Sequence, residues 1–163
     1  MGIGKLKSRG VRVISVNPVQ TGYSAVADDW ISITPGTDGL FIQSMIYELM
    51  RTNRIDLDYL MRYTNAAWLV IDAPGTAQHG LFLRDRNGDA QVLCADTKQL
   101  VSYRQAKVSP CVSEPATSED GTRVVSVFSL MADAWLDTKY SPEATAATTG
   151  VPASQVRALT EEQ

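Results

Sequence analysis

Short β-branched runs and one long amphipathic stretch set the pattern of the chain. Val11-Arg12-Val13-Ile14-Ser15-Val16 predicts a first strand, and the run at 31–34 predicts a second. Ahead of them, residues 2–8 read as the tail of a helix, with Lys5 and Lys7 near its end and Gly10 as its stop. A helix so close to Met1 with no N-cap implies that a further segment precedes it. Residues 17–30 are long enough for a right-handed crossover to a parallel neighbour. A helix is expected over about 39–52, capped by Thr37 or Asp38. Its residues Ile42, Met45, Ile46, Leu49 and Met50 match the i, i+3, i+4, i+7, i+8 spacing of a core-facing stripe, which Leu40 and Phe41 broaden. The methionines on that stripe read as core filling rather than cofactor contacts.

Beyond this point the signals shorten. Asp56 caps a short helix through Asp58, Tyr59, Leu60 and Met61, and Trp68-Leu69-Val70-Ile71 is another strand candidate. The runs 81–83 and 91–94 flank Asp85-Arg86-Asn87-Gly88-Asp89, and Asn-Gly between extended segments signals a hairpin. Residues 98–123 carry Pro110, Pro115 and Gly121 with little periodicity and are expected to form a long surface loop. Helical patterning resumes over 125–136. Ser141-Pro142-Glu143 opens another helix ending at Gly150, and Pro152-Ala153-Ser154 opens a third that runs to Glu161-Glu162-Gln163. Both ends of the chain thus look cut through elements.

The expected fold class is α/β: a partial Rossmann-like parallel sheet with flanking helices, plus a small hairpin and C-terminal helices. Three segments are expected: 1–72 as the α/β segment, 73–124 as hairpin and irregular loop, and 125–163 as C-terminal helices of the same domain.

Composition narrows the function classes. A net charge of −3 on 163 residues argues against a nucleic-acid partner, which calls for a clustered basic face. Lys5, Lys7, Arg9 and Arg12 form the one basic cluster, and a solvated helix face explains it better than a phosphate-binding arm. Cys94 and Cys111 lie far apart and outside any C-x-x-C spacing, which argues against a metal centre; one disulfide is open to them but not demanded. His79, the sole histidine, reads as a surface loop residue, so a Ser-His-Asp set is not credible. Asp28 and Asp29 are adjacent and would point to opposite faces of a strand, one of them into solvent. No apolar run approaches the roughly 20 residues that cross a bilayer, and no secretory signal is visible, so as written the chain would stay in the cytoplasm where it is made.

Candidate chemistry sits where the first two strands end. In open α/β sheets, ligands bind in the crevice beyond the carboxyl ends of the strands. Asn17 offers a polar side chain there, Pro18 turns the chain away, and Gln20 and Thr21 add donors and acceptors over the same opening. Neutral hydrogen bonds are worth about 0.5–1.5 kcal/mol each, so several must converge on a ligand. The second cluster, Gly36-Thr37-Asp38, adds the start of a helix, whose free N–H groups favour anions. Asp38 can accept two N–H bonds from a guanine edge; taken alone, the same tripeptide is equally a turn plus a helix cap. Neither G-x-G-x-x-G nor G-x-x-x-x-G-K occurs.

The ordered segments Val16-Asn17-Pro18-x-x-Thr21, Ala27-Asp28-x-Trp30-Ile31, Pro35-Gly36-Thr37-Asp38 and Arg62-Tyr63-Thr64-Asn65 resemble the large subunits of the dimethyl sulfoxide reductase superfamily, the prokaryotic molybdopterin oxidoreductases. The resemblance is strongest over 2–72. It implies a catalytic subunit carrying molybdenum or tungsten on two molybdopterin guanine dinucleotides, acting on a small substrate by oxygen-atom or hydride transfer. By the same resemblance Asn17, Pro18, Gln20 and Thr21, with Gly36, Thr37 and Asp38, line the pocket of one guanosine, Asn17 touching the nucleotide and Asp38 the guanine edge. The family's N-terminal cysteine cluster, its protein ligand to molybdenum and its C-terminal barrel-type domain have no counterpart here. The chain is therefore expected to match an internal segment of a larger polypeptide, to hold at most part of one dinucleotide, and to lack redox activity alone. Its expected partners are the remainder of that polypeptide and an iron–sulfur electron-transfer subunit, and the parent enzyme could be periplasmic or membrane-associated. The alternative expectation is a standalone module that binds a guanine nucleotide or the molybdopterin cofactor without catalysis.

Overall fold

The computed structural model describes residues 2–105 and 108–161; Ala106 and Lys107 of the expected loop, and Glu162 and Gln163 of the expected last helix, lie outside them. In chain order the elements are α1 (Ile3–Lys7), β1 (Ile14–Val16), β2 (Asp29–Ile31), α2 (Asp38–Arg51), α3 (Leu57–Tyr63), β3 (Leu69–Ile71), β4 (Gln91–Cys94), β5 (Leu100–Ser102), β6 (Pro110–Cys111), β7 (Ala116–Thr117), β8 (Arg123–Ser126), α4 (Val127–Trp135), α5 (Pro142–Thr149) and α6 (Ala153–Glu161). The class is α/β. Two compact units are formed, one from residues 1–54 with 135–163 and the other from 55–134. Residues 55–72, expected with the first segment, cluster in the second unit.

In the first unit β1 and β2 pair in parallel, Ile14 opposite Asp29 and Val16 opposite Ile31. Their connection contains a 3-10 turn at Gly22–Val26. Both strands are shorter than the sequence pattern, and β2 begins two residues before the expected run, because Asp28 closes the turn onto β1: its Oδ2 accepts from Val13 N at 2.8 Å. The core of this unit joins Ile31, Ile33 and Phe41 to Val151 and Val156, with Ile14, Met45 and Leu159 against them. The C-terminal helices therefore complete the core that the N-terminal strands begin. Helix α5 is bounded by local signals: the Ser141 hydroxyl accepts from Ala144 N, Pro142 sits in the first turn, and Gly150 ends the helix at φ +74°.

Helix α2 forms where the pattern places it, but its buried face differs from the expected stripe. Phe41, Ser44 and Glu48 are buried while Ile42 is 51% exposed. Within this unit α2 meets α5 and α6. A small Ser44, whose hydroxyl donates to Phe41 O at 2.7 Å, and an ion-paired Glu48 satisfy that crossing where a hydropathy pattern looks for large apolar side chains.

The second unit is antiparallel and holds two three-stranded sheets, ordered β3-β8-β7 and β5-β4-β6. The expected hairpin is present: Arg84 bridges Ala90, Gln91 N donates to Leu83 O at 3.0 Å, and Asp85 Oδ1 accepts from Asn87 N and Asp89 N. The expected long loop over 98–123 instead contains β5, β6 and β7. Strands of two or three residues carry no readable alternation, and neighbours such as Leu93 and Val124 hold them in register. Likewise 125–126, expected to be helical, belong to β8, and the helix starts at Val127.

Candidate functional site

Parallel pairing sends the carboxyl ends of β1 and β2 to the same edge. Asn17 N donates to Ile31 O at 3.1 Å and so extends the ladder by one bond. The indole N–H of Trp30 donates to Asn17 O at 2.8 Å, and Asn17 Oδ1 accepts from Val19 N at 3.0 Å across Pro18. Asn17 is thus fixed at backbone and side chain, and its amide nitrogen is left free among the described residues. Thr21 O accepts from Ser24 N at 3.0 Å to start the 3-10 turn, and the buried Ser24 hydroxyl meets Ser15 Oγ at 2.6 Å. Gln20 and Thr21 have exposed side chains without partners among the described residues.

After β2 the chain passes Thr34, whose N–H donates to Thr149 O at 2.8 Å, and turns at Gly36, φ +81°. Thr37 Oγ1 donates back to Thr34 O at 2.7 Å, so Thr37 does not cap α2 with its side chain. The first intrahelical donor is Phe41 N, bonded to Thr37 O at 3.0 Å, which leaves the N–H groups of Asp38, Gly39 and Leu40 at the helix start. The Asp38 carboxylate is exposed and accepts no hydrogen bond among the described residues. The capping alternative for Asp38 therefore has no side-chain bond behind it, and its carboxylate is left unengaged beside the free N–H groups of the helix start. Residues 17–21 directly follow β1, and Gly36-Thr37-Asp38 lead from the loop after β2 into α2, with the side chains of Asn17, Gln20, Thr21 and Asp38 exposed.

At the opposite, amino ends of β1 and β2 the charged residues are paired with one another. Lys7 Nζ lies 2.8 Å from Asp28 Oδ1, and Arg12 grips Asp29 Oδ2 through Nε at 2.8 Å and Nη2 at 2.6 Å. The Lys7 ammonium, followed by the Val13 N–H, holds the Asp28 carboxyl below its usual range. All four residues remain exposed, so the cluster keeps a solvated face, but Lys7 and Arg12, half of it, are each engaged by an aspartate. Deeper in the unit Glu48 accepts from Arg51 and faces Arg157 at 3.5 Å, and Arg157 also pairs with Glu143. Residue spacing signals only the i, i+3 pair of Glu48 and Arg51 on α2; Glu143 and Arg157 lie far along the chain and their part carries no local signal.

The cysteines are free. Cys94 stands opposite Pro110 and Leu93 opposite Cys111, so the two sulfurs leave opposite faces of the β4–β6 pair, which excludes the optional disulfide in this fold. Among the described residues no group of three or more His, Cys, Asp or Glu side chains could hold a metal, and no helix is long and apolar enough to cross a membrane.

No protein-family model matches the chain. Curated relatives do. The class they define is that of the molybdopterin oxidoreductase large subunits, and the chain belongs to this dimethyl sulfoxide reductase superfamily, of whose members it matches a part. In particular, it is 40% identical over 99% of its length to a sulfite dehydrogenase subunit of Allochromatium vinosum. It is 29% identical over 92% of its length to the alpha subunit of chlorate reductase from Ideonella dechloratans, and 35% identical over 47% of its length to the formate dehydrogenase major subunit of Haemophilus influenzae. The chain spans 18% of the length of the first two relatives and 7% of the third.

Proposed function

We propose that the chain supplies one guanosine subsite in the cofactor-binding α/β domain of a molybdopterin oxidoreductase catalytic subunit. The observation that supports it most is the unengaged Asp38 carboxylate at the start of α2, the helix that follows β2, together with the backbone-fixed Asn17 at the end of the parallel neighbour β1. Asp38 would accept the ring N–H and exocyclic amine of guanine, Asn17 and Gln20 would meet the ribose or base with their amides, and the α2 N–H groups would face a phosphate. The dinucleotide, when bound, carries the molybdenum or tungsten that exchanges an oxygen atom or hydride with substrate. This chain's own residues only hold and orient its guanosine end, so redox activity is expected to need the rest of the catalytic polypeptide.

The match to the sulfite dehydrogenase subunit over 99% of the chain makes a sulfur oxyanion the first substrate class to test in the whole enzyme. Oxidation of such an anion releases an electron pair, and an iron–sulfur subunit is the proposed acceptor. A second reading, a standalone guanine-nucleotide module, draws support from the first unit's own core, which Val151 and Val156 complete.

Calorimetric titration of the chain with GMP, IMP and AMP tests the site. The expected order is GMP, then IMP, which lacks the exocyclic amine, then AMP. Asp38→Asn should cost GMP about 1.5–3 kcal/mol, the range for hydrogen bonds to a charged group. Equal affinity for GMP and AMP, or an Asp38→Asn variant that binds GMP unchanged, removes Asp38 from the role.

A further inference from the structure

The motif Arg62-Tyr63-Thr64-Asn65 has no part in the guanosine edge. It forms one wall of a groove of about 1170 Å³ that lies wholly within the 55–134 unit. We propose that this groove binds an extended polypeptide segment in the polyproline-II conformation that carries a basic residue.

Four features point to that occupant. The groove exceeds the roughly 300–1,000 Å³ of ordinary small-molecule pockets and is lined by aromatic ridges. Tyr59 and Tyr63, one turn apart on α3, are 56% and 65% exposed with ring centroids 4.8 Å apart. Trp68 and Tyr103, with ring centroids 5.0 Å apart, and Pro110 also line the groove.

The rings of Trp68 and Tyr103 are held in place before any ligand arrives. Phe82 packs its edge against Trp68 at 5.4 Å. The Arg104 guanidinium lies 5.2 Å from the Tyr103 ring centre and is itself tied to Asp89 at 2.9 Å. Fixed aromatic ridges are what proline-rich segments dock between, because their conformation is already set and little entropy is lost.

A polyproline-II backbone makes no internal hydrogen bonds, so its carbonyls need donors from the partner. Three residues lining the groove carry side-chain donors with no partner among the described residues: the Trp68 indole N–H, the Asn65 amide and the Arg62 guanidinium. Finally, the amino end of α3 is acidic. Asp56 uses Oδ1 to cap Tyr59 N at 2.8 Å, and the Asp58 carboxylate has no partner among the described residues. That end suits a lysine or arginine flanking the prolines. A helix docked in a groove needs a continuous apolar trough instead, and charged Asp58 and Arg62 interrupt this one.

The test is titration of the full chain with an acetylated decaproline bearing one arginine, placed at its amino or carboxyl end in separate peptides. A glycine–serine decapeptide with the same arginine serves as control. One-to-one saturable binding of a proline peptide is expected, with the control at least about tenfold weaker. Tyr63→Ala and Asp58→Lys alter exposed side chains and should each weaken binding about tenfold, the effect of losing one anchor of an interface. Absence of saturable binding, equal binding of the glycine–serine control, or unchanged affinity in both variants would overturn the proposal. None of these results bears on guanosine binding, which uses the other unit.

Discussion

The backbone N–H of Thr34 donates to the carbonyl of Thr149 at 2.8 Å, joining the loop that carries Gly36-Thr37-Asp38 to the end of α5. The next residue, Gly150, sits at φ +74°, and a Cβ there would lie 3.2 Å from Thr34 Oγ1. The C-terminal helices therefore act on the candidate nucleotide edge through one turn. Gly150→Ala should destabilise the first unit by about 1–2 kcal/mol, the cost of a left-handed non-glycine residue. Urea unfolding followed by circular dichroism measures it; an unchanged midpoint would show that the turn relaxes freely.

That tie bears on what the sequence could reveal. Ser141, Pro142 and Gly150 are local signals, each acting within one helical turn, and α5 falls where they place it. The same holds for Asp56 at α3 and Asn87-Gly88 in the hairpin. By contrast β6 and β7 are two residues each and exist only because β4 and β8 pair with them. The buried face of α2 is illegible for a related reason: Ser44 and Glu48 are buried by α2's crossing with α5 and α6, which no periodicity encodes. At the site, residue types at strand ends are readable, whereas the free N–H groups at the start of α2 depend on Thr37 turning its hydroxyl to Thr34 rather than to the helix.

Glu48 sets an acid limit on the first unit. Its carboxyl is held below the ordinary 4.5, chiefly by the Arg51 hydrogen bond and against the opposing effect of burial. A depressed folded value means that the carboxylate contributes stability above pH 4.5 and loses it as pH falls through the folded value. Glu48→Gln should therefore destabilise the chain at neutral pH, by about 1–3 kcal/mol as for other buried charged hydrogen bonds, and the gap to the parent should narrow on acidification. Thermal melts of both proteins from neutral to strongly acidic pH give the comparison. A gap that stays constant with pH would remove Glu48 as the titrating group.

Cys94 and Cys111 should resist oxidative pairing, since their side chains leave opposite faces of adjacent strands. Treating the native chain with diamide and measuring intact mass under denaturing conditions should return both thiols alkylatable. An intramolecular disulfide in a chain that keeps its melting temperature would contradict the β4–β6 register.

Trp30 is the residue whose role separates binding from folding. Its indole N–H holds the Asn17 carbonyl at 2.8 Å, while Asn17 Oδ1 is already engaged by Val19 N. Trp30→Phe keeps an aromatic ring but removes that donor, so Asn17 loses one of its restraints and its free amide wanders. Stability should fall by only about 0.5–1.5 kcal/mol, the net worth of a neutral hydrogen bond. GMP affinity should fall as well, because a ledge open to solvent holds its ligand through few groups, and each must be placed beforehand. Asp38→Asn, by comparison, should lower GMP affinity with little change in stability, as its carboxylate bonds to nothing else among the described residues. Paired calorimetric titrations and melts of the two variants distinguish the roles. If Trp30→Phe lowers stability yet leaves GMP affinity intact, Asn17 is a structural turn residue and the nucleotide contact must be sought at Gln20 and Thr21.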